Sequence, residues 1–194
     1  MHDETTIDSL LNFWFAPGEQ LRRWFGVDAT FDDECRRRFL ADTEAALVGE
    51  RIQWATTPEG CLALVLLVDQ MTRNLFRGEA RAFAGDALAA SVAASCIERG
   101  DDARLPWMRR AFLYLPLEHA ESPAVQAKSV ACFEKLRSEA PASERTTADR
   151  FVEAALQHQR VIERFGRFPA RNRALGRANT GEEAAFLAQR PAGM

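Results

Sequence analysis

Between Thr57 and Gly78 the chain reads TPEGCLALVLLVDQMTRNLFRG. Thr57-Pro58-Glu59 is a helix start: a capping hydroxyl, then proline at a position whose N–H has no intrahelical acceptor. The helix beyond it is apolar on nearly every face. A helix without a polar face belongs at the centre of its fold, so the rest of the chain must wrap around it. Its longest apolar run, Cys61 to Val68, is far short of the roughly 20 residues that cross a bilayer. Polar residues then arrive in i, i+4 steps. Asp69, Arg73 and Arg77 share one stripe, and Gln70 and Asn74 share the next. Gly78 ends the helix.

The remaining sequence is rich in Ala, Leu, Arg and Glu and poor in β-branched runs, which favours helices throughout. Asp8 is the expected cap of a first helix carrying Phe13, Trp14 and Phe15, ended by Pro17-Gly18. Trp24-Phe25-Gly26 reads as an aromatic anchor in a connector. A second helix, from about Phe31 to Leu47, has the stripe Phe31, Cys35, Phe39, Thr43, Leu47. Asp86 to Arg99 is a helix stopped by Gly100. The next opens at Asp101 or Asp102 and meets Pro116, which places Glu118 and His119 at a kink or helix end. Ser122-Pro123 restarts a helix through Leu136. After a polar connector, a long helix carries Phe151, Ala155, His158, Ile162 and Phe165 and stops at Gly166. Thr180 to Glu183 is a capping box that starts a last short helix. The expectation is an all-α chain of roughly eight helices with short connectors, arranged as a helical stack, superhelix or bundle. At 194 residues it is expected to be one domain, 1–194.

The formal charge of −3 argues against wholesale nucleic-acid binding, which favours a broadly basic domain. The N-terminus has no basic and apolar leader pattern, so a secreted or membrane protein is not expected. Cys35, Cys61, Cys96 and Cys132 are widely spaced, without a CxxC pattern or a nearby histidine. They read as buried free thiols in a reducing cytoplasm. No zinc site, other metal site or cofactor is expected, and no phosphate loop, GxSxG or HExxH pattern is present.

The strongest candidate for chemistry is His158 to Arg177, HQRVIERFGRFPARNRALGR. Its six arginines stand against one acid, Glu163, a formal +5 inside an acidic chain. Phe165 and Phe168 anchor the turn that Gly166 permits, and Pro169 stiffens it. Arg167 and Arg171 are then presented from a rigid turn, while Arg160, Arg164 and Arg173 suit a solvated face. Arg171-Asn172 repeats the Arg73-Asn74 pair, and guanidinium groups suit carboxylates and phosphates. Asp69 and Arg73 read either as an internal salt bridge or as an acid orienting an arginine towards a pocket. His158 reads either as a core histidine or as a ligand-binding or proton-transferring group. Glu118 beside His119 is the candidate acid–base pair.

Together FWF (Phe13 to Phe15), WF (Trp24-Phe25), VDQMTRNLFRG (Val68 to Gly78), FLYLPLEHAE (Phe112 to Glu121) and RFGRFPARNRALGR (Arg164 to Arg177) resemble a mostly bacterial family known only as domain of unknown function 924. The resemblance spans nearly the whole chain. It implies an all-helical fold similar to tetratricopeptide-repeat proteins, and no established activity. Carried over by position, the family's polar set is Asp69, Gln70, Arg73, Asn74, Arg77, Glu118, His119, Glu121, His158, Arg167, Arg171, Asn172 and Arg177. Two positions depart from it: Met71-Thr72 stands where the family reads Phe-Pro, and Ala170 stands where it reads His.

Three functional readings are open. The first is a pocket in which Arg73, Arg77, Arg167 and Arg171 hold a small phosphate- or carboxylate-bearing ligand. Asp69, Asn74, His158, Asn172 and Arg177 complete it, and hydrolysis at His119 and Glu118 is its catalytic form. The second is a protein-interaction scaffold with an Arg-lined groove for acidic peptides. The third is structural: arginine–carboxylate pairs that pin helices together. Oligomeric state has no signature in the sequence.

Overall fold

The computed structural model describes residues 2–18 and 20–189. The described residues are helical, with turns between and no strand. They form two compact units, one of residues 1–77 with 81–116, the other of residues 78–80 with 117–194.

The first unit contains α1 (His2–Trp14), α2 (Gln20–Phe25), α3 (Ala29–Leu47), α4 (Pro58–Val65), α5 (Thr72–Leu75), α6 (Asp86–Glu98) and most of α7 (Trp107–Glu118). Asp8 does not cap α1, because the helix already begins at His2; nothing between them breaks a helix. Asp28 is the capping residue that the sequence did not single out. Its carboxylate accepts from Thr30 and Phe31 N–H at the start of α3. Phe31, Cys35, Phe39 and Thr43 are buried as the stripe requires, with Ala46 in place of Leu47. Thr57 caps α4 through Gly60 N–H, with Pro58 at the first helical position.

The central helix is not one regular α-helix. Between α4 and α5, residues Leu66–Met71 form a π turn, and every one of them is buried. A π turn shifts the backbone hydrogen bonds from i−4 to i−5. Two carbonyls at this turn take side-chain donors. Thr72 Oγ1 donates to Val68 O and Asp69 O, and Arg73 Nη1 donates to Asp69 O at 2.8 Å. Gly85, just before α6, lies against the same turn: a Cβ there would fall 2.1 Å from Val68 O. Only a residue without a side chain allows that approach.

Trp14 and Phe15 of FWF join Trp24-Phe25 in one aromatic cluster around Phe112 of α7, while Phe13 stacks on Phe31. The Phe112 ring lies 5.8 Å from Trp14, 5.4 Å from Phe15 and 4.6 Å from Trp24. The Trp24 indole donates to Trp14 O at 2.9 Å. Burial of each large ring contributes about 2 kcal/mol. Ala80–Glu98 has a mean hydropathy of 1.2, enough by composition and length to cross a membrane. Its regular helix α6, however, has only 13 residues, about 20 Å against a hydrocarbon core of about 30 Å. It packs Ala89, Val92, Ala93 and Cys96 inward.

The second unit is built on the antiparallel pair α8 (Pro123–Ser138) and α9 (Arg145–Phe165), with α10 (Gly181–Ala188) after an irregular segment. Phe133 of α8 stacks on Phe151 of α9 at 5.6 Å. Gly166 ends α9 with φ +68°, the left-handed conformation that favours glycine. Pro116 sits inside α7 without ending it; the helix runs on to Glu118, so Glu118 is a helix-end residue and His119 comes next, in the turn.

Candidate functional site

The first of the three readings gathers the candidate residues in one pocket. The structure distributes them over the two units, and each set has its own geometry.

In the first unit, Arg73 is held by acids on two sides. Its Nη1 lies 3.0 Å from Asp69 Oδ1 and 2.9 Å from Asp86 Oδ1, and Nη2 donates to Asp86 Oδ2 at 3.2 Å. Asp69 is fully buried. Gln70 donates to its other oxygen. Asn74 Nδ2 donates to Asp32 Oδ1 at 2.7 Å, and Arg77 makes a bidentate pair with the same carboxylate. Asp32 and Asp86 carry no sequence signal. Nothing local marks them, since each meets its arginine only when α3 and α6 dock on the central helix. The DQMTRN segment thus spends its charge tying α3, α5 and α6 together.

In the second unit, the arginines of the C-terminal segment find acids far away in sequence. Glu183, the last member of the capping box, accepts Arg167 Nε and Nη2 at 2.6 and 2.8 Å, Thr180 N–H at 2.7 Å and Asn172 Nδ2 at 3.3 Å. The Arg167 hydrogen bond first, then the Thr180 N–H, hold its carboxyl down at about 2. Glu121 accepts Arg177 Nη1 at 2.7 Å, Arg177 Nη2 at 2.9 Å and Phe168 N–H at 2.8 Å. Burial pushes the Glu121 carboxyl up, but Arg177, the Phe168 N–H and the charge of Arg171 together hold it below its ordinary value. Asn172 is buried and bridges Arg177, through Oδ1 at 2.8 Å, to Asn179, through Nδ2 at 2.8 Å. Arg164 pairs with Glu182 at the surface. Three of the six arginines are therefore paired with acids outside the segment: Arg164 with Glu182, Arg167 with Glu183 and Arg177 with Glu121.

A different constellation surrounds His158. Its Nδ1 lies 2.9 Å from Ala154 O and 3.0 Å from Glu118 Oε1. Both neighbours are acceptors, so Nδ1 carries the proton and Nε2 is left for other chemistry. Glu118 is 3% exposed, whereas the His158 side chain is 36% exposed. Burial pushes the imidazole pKa down; the Glu118 hydrogen bond and charge outweigh that and raise it. The ring meets Phe168 edge-on at 5.4 Å and His119 at 6.3 Å. Arg171 lies over the Phe168 ring at 4.5 Å and donates to His119 O at 3.0 Å. Its charge acts on both His158 and Glu121. Sequence adjacency pairs Glu118 with His119; in the fold the imidazole bonded to Glu118 is that of His158. Glu118 Oε2, Gln126 Oε1 and Ser129 Oγ are buried with no hydrogen-bond partner among the described residues, and Gln126 Nε2 donates to Glu118 O and Ala120 O. Ala170, where the resembled family has His, is exposed on the Pro169–Arg171 turn.

Two open clefts lie elsewhere, both in the first unit. One, of about 520 Å³, is lined by Phe13, Arg23, Glu34 and Arg38 among others, and one of about 400 Å³ by Gln53, Trp54 and Glu59 among others. Neither contains a candidate residue. Among the described residues, no three His, Cys, Asp or Glu side chains gather as a metal site.

These observations define an all-helical protein whose charged motifs are organised as two ion-pair networks and one carboxylate-oriented histidine. The family model described as a bacterial protein of unknown function (DUF924) matches residues 10–191, and the chain belongs to that family. It is similar to the solved structure of a protein of unknown function from Agrobacterium tumefaciens. The two share 35% identity with a TM-score of 0.85, over 96% of this chain and 99% of that one. None of the curated proteins matches it.

Proposed function

We propose that the second unit binds a small anion, a carboxylate or phosphate, between His158 and Arg171. The observation that carries this reading is the contact of Glu118 Oε1 with His158 Nδ1 at 3.0 Å. It fixes one tautomer, raises the basicity of the ring and leaves Nε2 for a ligand. Arg171 brings a second positive group to the same neighbourhood. Arg167, Asn172 and Arg177 act one step back, by holding the segment that carries Arg171. Asp69, Arg73, Asn74 and Arg77 belong to the internal network of the first unit, so in this reading they supply rigidity there.

The test is thermal stability at pH 6 and pH 8 with phosphate, sugar phosphates, dicarboxylates and acidic peptides, for the native protein, Arg171→Ala and His158→Asn. A ligand at 100 times its Kd adds about 2.7 kcal/mol. The expected result is a shift that is larger at pH 6, where the imidazole is protonated, and lost in both folded variants. A flat response to every anion, with both variants folded, would sink the proposal. An acidic peptide that outperforms free dicarboxylates would assign the same pair to a protein partner.

The orientation of His158 by a buried carboxylate also supports a hydrolytic reading. Here the base is His158, not His119, and Glu118 is its positioning residue. Ester or phosphate-ester cleavage would then rise with pH as the imidazole loses its proton, and would vanish in His158→Asn. Turnover that survives this substitution rules that reading out.

A further inference from the structure

Two of the four cysteines come together in the first unit. Cys61 lies near the start of α4 and Cys96 in the last turn of α6; both are fully buried, on helices that pack against each other. Their thiols are close enough to act on one another's ionisation. Cys61 Sγ also donates to Ala55 O at 3.2 Å and accepts from Arg99 Nη2 at 3.3 Å. Arg99 in turn is fixed by Asp101 at 2.8 Å and by Ala55 O at 3.0 Å, while its side chain remains 42% exposed. Cys61 therefore lies one guanidinium below the surface, with a second thiol as its neighbour.

This is the arrangement that turns a buried thiol into a reactive one. A cation at hydrogen-bond distance stabilises the thiolate, and a neighbouring thiol can close a disulfide. The neighbouring Cys96 thiol, and after it the bond and charge of Arg99, bring the Cys61 thiol below its ordinary range in spite of burial. The same partnership with Cys61, together with burial, pushes the Cys96 thiol up. Cys35 shows the contrast. It is equally buried, has no such cation bonded to its sulfur, and is pushed up to about 12, chiefly by burial.

We propose that Cys61 and Cys96 form an oxidisable dithiol whose co-substrate is a small hydroperoxide. The Cys61 thiolate attacks the terminal peroxide oxygen; the O–O bond breaks, and the leaving hydroxide takes a proton to become water. The resulting sulfenic acid is attacked by the Cys96 sulfur, whose proton leaves with the hydroxyl as a second water. Two thiols and one hydrogen peroxide give one disulfide and two waters. The two sulfurs together lose two electrons, which reduce the peroxide. The product is a covalent tie between α4 and α6.

The experiment is hydrogen peroxide treatment of the native full-length protein, quenched over time. Remaining thiols are then alkylated in denaturant and the peptides mapped without reduction. Cys132 is the internal standard, because it is the more exposed thiol and accessibility alone would favour it. The expected result is a Cys61–Cys96 linked peptide, with this pair lost on the order of tenfold faster than Cys132. Cys96→Ser should convert the product into a trappable Cys61 sulfenic acid, and Arg99→Leu should slow the reaction severalfold. Oxidation of Cys132 ahead of the pair, or a Cys61–Cys96 pair still reduced when Cys132 has reacted, overturns the proposal. An unchanged rate in folded Arg99→Leu overturns the role given to the guanidinium. The native-protein comparison needs no variant, so a misfolded mutant cannot protect the idea.

Discussion

The two units use arginine differently. In the first, Arg73 on α5 and Arg77 in the turn just after it reach acids on α6 and α3. In the second, Arg167, Arg171 and Arg177 sit on irregular chain and reach Glu183, the carbonyl of His119 and Glu121. The first network joins elements that would be helical without it. The second shapes a segment that has little regular structure of its own. So the same residue type serves packing in one place and conformation in the other, and removing it should have different signatures: global loss of stability in the first, local opening in the second.

The sharpest way to break that comparison is Asp69→Asn. It leaves Arg73 with one acid instead of two beside a fully buried amide, and should cost about 3 kcal/mol in urea unfolding. A cost below about 1 kcal/mol would mean that the first network does no more than surface pairs do. Arg177→Ala removes both bonds to Glu121 and should cost about 2 kcal/mol. Its signature should be faster hydrogen exchange confined to residues 167–183, with α4 and α6 unchanged. Exchange that rises uniformly would erase the distinction between the units. Thr72→Val keeps the shape and removes the hydroxyl that answers two carbonyls of the π turn; the expected cost is about 1 kcal/mol.

His158 offers a pH test. Its folded-state pKa is raised above its ordinary 6.5. The stability that the Glu118 pair contributes is therefore fully present below about pH 6.5 and is lost as pH rises through the raised value. The stability gap between the native protein and His158→Asn should shrink over that rise. With the side chain a third exposed, its size is about 0.5 kcal/mol after solvent screening. A gap that widens with pH would contradict the assigned tautomer and partner. The smallest effect belongs to Arg164→Ala: its pair with Glu182 is more than half exposed on both sides, and the change should be under about 0.5 kcal/mol.

Much of the fold was readable because helix signals are local. Thr57-Pro58, the Thr180–Glu183 capping box and Gly166 all stand where their chemistry placed them. The start of α1 was not readable, because Asp8 has the chemistry of a cap whether or not the chain upstream is helical. The π turn was not readable either. It is a departure from helical spacing inside a stretch so uniformly apolar that no stripe records the slip. The candidate residues were found as residue types, but their partners were not. Asp32, Asp86 and Glu182 look like ordinary surface acids, and Glu183 like a capping residue alone, until docking brings an arginine to each. Glu118 was matched with its neighbour in sequence when its partner lay 40 positions on, at His158. The Cys61–Cys96–Arg99 cluster was missed for the same reason: wide spacing along the chain hides closeness across a helix pair.

The turn at Leu66–Met71 makes the length of the central helix a coded quantity. Such a turn amounts to one surplus residue in an α-helix. Deleting a single residue within it would restore regular winding and leave the downstream helix facing nearly as before, because the turn already absorbs the extra residue. A deletion in the regular stretch Pro58–Val65 has no such absorber: a rotation of about 100° per residue would swing Arg73, Asn74 and Arg77 off Asp86 and Asp32 together. A one-codon deletion in Pro58–Val65 should thus be far more damaging than one in Leu66–Met71 or in the connector at 138–144. Insertions and deletions, not substitutions, are the changes to which this helix is most sensitive.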